Sequence, residues 1–123
     1  MGSPGPEIDY QELVENLVDI VLISDSSGRF IWVSPQVKEI LGYQQSEIIG
    51  EEALYFIHED DHGKAMKGLQ EVIEQGSYSL EYRVRHKNGH YIHFHGTGRM
   101  LLKDDNLYLI AQIKDITDRK NIE

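Results

Sequence analysis

The spacing of apolar positions changes period several times along the chain, and each change marks a new element. Tyr10, Leu13, Val14 and Leu17 fall at i, i+3, i+4 and i+7, which predicts a short amphipathic helix within residues 9–18. Asp9 followed by Glu12 fits a capping box at its start. Ile20–Ser24 and Phe30–Val33 are short apolar runs, and Asp25-Ser26-Ser27-Gly28 between them supplies turn chemistry, so a β-hairpin is predicted. Ser34-Pro35 suits the N-cap and first position of a helix whose buried stripe is Val37, Ile40 and Leu41 and whose stop is Gly42. Ser46 opens another helical turn that ends at Gly50. Glu59-Asp60-Asp61 places negative charge at the start of a longer helix, which carries Met66, Leu69, Val72 and Ile73 on one side and ends at Gly76.

The last third turns to a period of two. Tyr78, Leu80, Tyr82 and Val84 alternate with Ser79, Glu81, Arg83 and Arg85, the signature of a strand with one buried face. Asn88-Gly89 predicts a tight type I′ hairpin, with positive φ at both residues. Tyr91–Leu102 is the partner strand, Asp104-Asp105-Asn106 the next turn and Leu107–Lys114 the final strand. The predicted fold class is α+β: a five-stranded antiparallel sheet with short helices on one face, preceded by the amphipathic helix.

Composition narrows the function. The chain has 123 residues, 21 acidic against 12 basic, for a net charge of −9, and no cysteine. That length suits one domain. The acidic balance argues against nucleic acid, and the missing cysteines remove disulfides, thiolate metal sites and cysteine nucleophiles. No apolar run approaches the ~20 residues of a membrane span, and no secretory leader is evident, so a soluble, cytoplasmic protein without direct membrane contact is expected. Residues 1–8 read as a flexible leader, with Met1-Gly2-Ser3 an expression-tag remnant.

Few motifs carry chemistry. His58-Glu59-Asp60-Asp61-His62 matches the H-E-x-x-H pattern of zinc enzymes, but the acidic run is expected to begin a helix, which leaves His58 ahead of its first turn. His93 and His95 share a strand face and are the weak candidates for a metal. Gly96-Thr97-Gly98 lies within a strand and lacks the third glycine of a dinucleotide loop. No catalytic set emerges, and the isolated domain is expected not to be an enzyme.

In order, Asp25–Phe30, Ser34, Leu41-Gly42-Tyr43, Glu47–Gly50 and Ile57–Asp61 resemble the first half of a PAS domain. Arg83–Gly89 and Asp115-Ile116-Thr117-Asp118-Arg119-Lys120 resemble its second half. The resemblance implies a sensory and dimerisation module with a small cavity between sheet and helices. It divides the chain into a flanking helix (9–18), a PAS domain (19–116) and the start of an outgoing connector helix (117–123), which Thr117 would cap with Asp118 in its first turn. The parent protein would be a sensor histidine kinase or diguanylate cyclase, in a two-component or similar pathway.

Within that family, the position of the reactive cysteine of flavin photosensors falls on Ala53, and their last-strand glutamine falls on Ile113. Haem-binding relatives carry a histidine where this chain has Ala65, Met66 and Lys67, one turn beyond His62. Neither flavin photochemistry nor b-type haem is expected, and no cofactor is assigned. Alternation sketches a candidate pocket of Tyr82, Val84, Phe94, Leu109, Ala111 and Ile113, joined by Ile92, with Leu41, Leu54, Met66, Leu69 and Ile73 opposite. Its ligand would be small and mostly apolar. Asp115, Ile116 and Thr117 would pass the signal on, and Tyr10, Leu13, Val14 and Leu17 would support a homodimer. The alternatives are a ligand-free dimerisation or docking module and, further off, a zinc enzyme through His58 and His62.

Overall fold

A computed structural model describes Asp9 and residues 18–118. The helix predicted over residues 9–18 falls almost wholly outside the described residues, as do residues 1–8 and 119–123. The elements run β1 (Ile20–Asp25), β2 (Phe30–Val33), α1 (Val37–Leu41), α2 (Gln45–Ile48), two 3-10 turns (Ala53–Tyr55 and Glu59–Asp61), α3 (His62–Gln75), β3 (Ser77–Arg85), β4 (Tyr91–Lys103) and β5 (Asn106–Asp115). All pairings are antiparallel in one five-stranded sheet of order β2-β1-β5-β4-β3, so the first and last strands meet at its centre. No helix among the described residues is long and apolar enough to cross a membrane.

The register fixes which residues share the inner face. Tyr82 lies opposite Phe94, Gly96 opposite Ile113, Gly98 opposite Ala111 and Ala111 opposite Leu22. This face packs on Val37, Leu41, Ile48 and Phe56 from the helical half to make the core, in which Phe94, Ile20 and Val33 are fully buried. The opposite side of β3 carries Glu81 and Arg83, as the period of two requires.

Four local expectations need correcting. Ser34 does not cap α1, whose N-cap is Gln36. Instead its hydroxyl accepts the Val21 N–H at 2.9 Å while its own N–H donates to the Val21 carbonyl, so the β1–β2 ladder takes the side chain before the helix can. Ser46 does not open α2 either: Gln44 is its N-cap, and the Glu47 carboxylate accepts the Gln44 N–H at 2.9 Å. Asn88-Gly89 forms no two-residue turn. The connection runs from His86 to His90, closed by His86 N–H to His90 carbonyl at 2.7 Å, and only Gly89 has positive φ. Positive φ at two successive turn positions occurs instead at Asp104 and Asp105, between β4 and β5.

The fourth concerns the chain's exit. Thr117 and Asp118 enter a helical turn, but Asp115 supplies the acceptor that Thr117 was expected to supply. The Asp115 carboxylate accepts both the Thr117 N–H at 2.8 Å and its hydroxyl. Ile116 is buried and donates its N–H to the His93 carbonyl, which ties the exit to β4.

Candidate functional site

Between the inner sheet face and the helices lies a cavity of about 530 Å³. Its size falls in the range of roughly 300–1,000 Å³ typical of small-molecule pockets. Of the expected lining residues, Leu54, Met66, Leu69, Ile73, Tyr82, Val84, Leu109 and Ala111 stand on its wall. Leu41, Phe94 and Ile113 do not: they belong to the filled core beside it. Leu41 is itself on a helix and packs into that core, and Phe94 and Ile113 lie on the inner sheet face where the core fills it. Leu22, Ser24, Phe30, Tyr78 and Leu80 also line the cavity. The same alternation that selected Tyr82 and Val84 could have found Tyr78 and Leu80.

Three glycines let side chains of the cavity wall pack close to the backbone. A Cβ on Gly96 would stand 2.7 Å from the Tyr82 ring, and one on Gly98 would press the Tyr78 ring and stand 3.1 Å from the Ile110 carbonyl. On α3, a Cβ on Gly68 would overlap Leu80. The Gly-x-Gly of β4 therefore admits two phenol rings to the inner face, a close-approach role for glycine in a strand.

The cavity opens to solvent. Met66, Leu69 and Ile73 from α3 line it yet remain exposed, as does Leu107 at the far end of β5. The β1–β2 turn forms a polar part of the rim. There Asp25 accepts from the Ser27 N–H at 2.9 Å, the Ser27 hydroxyl at 2.6 Å and the Arg29 N–H at 3.1 Å. The Ser27 hydroxyl above all, with the Arg29 N–H, holds the Asp25 carboxyl below the usual range. Burial raises the Tyr78 phenol and, more strongly, the Tyr82 phenol, so both stay protonated in neutral solution.

The histidines are engaged elsewhere. His58 Nδ1 accepts the Asp60 N–H at 3.0 Å, and its ring packs on Tyr91. His62 Nε2 faces the Ile57 carbonyl at 2.8 Å and the Leu54 carbonyl at 3.0 Å, so the ring donates there and ties α3 to the preceding turn. His95 Nε2 meets the Ser79 hydroxyl at 2.7 Å on the outer face, one register step from His93. Among the described residues no three His, Asp or Glu side chains converge as a metal site. Asp61 was read from the sequence as a helix-dipole charge. Its carboxylate instead grips Arg83, accepting from the backbone N–H at 2.8 Å and from Nε and Nη2 at 2.9 Å.

Residues 30–110 match the PAS fold family. The chain belongs to it. The PAS domain is similar to the blue light receptor lreA of Aspergillus flavus, 32% identical over 90 residues that are 72% of this chain and 10% of that protein. It is also 40% identical to the White collar 2 protein of Neurospora crassa over 88 residues, 71% of this chain and 17% of that protein. The chain thus spans less than a fifth of either curated relative. Among solved structures, a sensory box histidine kinase/response regulator from Burkholderia thailandensis superposes with a TM-score of 0.70 at 26% identity, covering 92% of this chain and 88% of the solved one.

Proposed function

We propose that residues 19–116 are a sensory PAS module that takes a small, mostly apolar molecule into the cavity and acts as the input domain of a longer signalling chain. The observation that carries this reading is the cavity itself. It is apolar, about 530 Å³, walled by residues from β1, β3, β4, β5 and α3, and open at one end. A filled core would satisfy the fold equally well, yet here the inner face leaves a hollow of ligand size. The kinase-type assignment rests on likeness to the sensory box histidine kinase and on the exit at Asp115, Ile116 and Thr117, where a helix begins. A shift in the β4–β5 half of the sheet would reach that helix through the Ile116 N–H bond to His93.

Likeness to a blue light receptor does not bring light sensing with it, because Ala53 stands at the position matched to the reactive cysteine and the sequence contains no cysteine. A homodimer is part of the proposal. Val21, Ile23, Trp32 and Ile110 form a half-exposed apolar strip on the outer face, suited to the stripe Tyr10, Leu13, Val14 and Leu17 or to a second copy.

Native mass spectrometry of freshly purified protein tests the sensory reading. A reproducible small-molecule adduct that disappears in Ala111→Phe is the expected result, since Ala111 lies on the cavity wall between Leu22 and Gly98. Bare polypeptide in both would favour a ligand-free docking module.

A further inference from the structure

We propose that Tyr78 and Tyr82 form a polar anchor inside the cavity, which selects neutral ligands bearing one hydrogen-bond acceptor, a carbonyl or hydroxyl, on an apolar body. This deepens the ligand-binding reading above and rests on it. The two residues lie four apart on β3, both on the inner face, and both line the cavity. Gly98, opposite Tyr78 on β4, and Gly96, diagonally across from Tyr82, are what let the rings lie close against the sheet. The two phenols interact with each other in an otherwise largely apolar wall.

Counting protons identifies the free group. Two phenols carry two O–H protons, and the bond between them uses one. Whichever phenol donates to the other, the partner keeps its own O–H. The pair therefore brings to the cavity wall an O–H donor beyond the one used within the pair. A donor left unpaired in an apolar hollow is costly, and a ligand oxygen there would remove that cost. The charge around the site excludes a carboxylate as that oxygen. Asp25 and Glu52 stand on the rim, no cation lines the cavity, and the net charge is −9.

The test compares acetophenone with ethylbenzene, a ring of like size without the carbonyl, by titrating each into ¹⁵N-labelled protein and following the Leu109 and Ala111 amides. The ketone should bind about three- to tenfold more tightly, the worth of one hydrogen bond. In Tyr78→Phe/Tyr82→Phe the two affinities should become equal while ethylbenzene binding persists. Removing both partners of the phenol bond keeps the shape and is nearly neutral for folding. Tyr82→Phe alone should retain the preference, because Tyr78 keeps its proton. Equal affinities in the natural sequence, or a preference that survives the double substitution, would overturn the anchor and leave the cavity reading standing. Silence of both amides to both probes would overturn the two together.

Discussion

Phe94→Ala is expected to lower the unfolding free energy by about 3–5 kcal/mol, the largest effect of any single change considered. Phe94 is fully buried on β4, opposite Tyr82 on β3, and packs in the cluster that joins sheet to helices. Removing its ring deletes a large apolar surface and leaves a cavity that neighbouring strands, hydrogen-bonded on both sides, cannot collapse to fill. A domain of this size has roughly 5–15 kcal/mol to lose, so the variant should unfold at much lower urea. Equilibrium denaturation with an unchanged slope reads the difference directly. A loss below about 1 kcal/mol would mean that the ring is not the packed centre. Because Phe94 stands outside the cavity wall, the milder Phe94→Leu should fold and bind ethylbenzene like the natural protein.

The second large effect centres on Asp61. Its carboxylate is buried and joins the start of α3 to β3 through three bonds from Arg83. Those hydrogen bonds from Arg83 hold its pKa down at about 2, against an ordinary value of 3.8. A depressed carboxyl stabilises the fold fully above 3.8 and loses that contribution as pH falls through 3.8 towards 2. The shift corresponds to about 2 kcal/mol. Asp61→Asn should therefore cost about 2–3 kcal/mol at neutral pH, since Arg83 keeps its charge and loses its counter-ion. The gap between variant and natural protein should shrink as the pH is lowered to 2, as denaturation curves across pH would show. A gap that stays constant with pH would contradict the ion pair.

The sequence made the fold legible because its punctuation is local. Turn residues at Asp25–Gly28, the helix stop at Gly42 and the alternation of Tyr78 through Val84 each carry their meaning within a few residues. The errors came where a distant partner decided the outcome. Ser34 is a good helix cap by propensity, but the Val21 N–H across the hairpin claims its hydroxyl. Asp61 looks like a dipole charge until Arg83, 22 residues later, draws its carboxylate away. Strand order was also unreadable, because β1 reaches β5 only through pairings across most of the chain, such as Ile20 with Ile113.

The candidate site was half legible for the same reason. Alternation names the inner face, yet it cannot say which part of that face the helices fill and which part they roof. Leu41, Phe94 and Ile113 fall under the packed part, while Leu109, Ala111 and Tyr82 fall under the hollow. The role of Gly96 and Gly98 depended on which rings lie against them, a matter of register and side-chain direction that the sequence does not print.

Xenon binding tests the hollow most directly, since xenon enters dry apolar cavities and ignores packed cores. Under xenon pressure, the methyl resonances of Leu22, Leu109 and Ala111 should shift saturably, those of Val33 and Ile113 should stay still, and Ala111→Phe should abolish the shifts of Leu22 and Leu109. Methyl resonances that do not move, or that move equally in the variant, would show that sheet and helices enclose no accessible space.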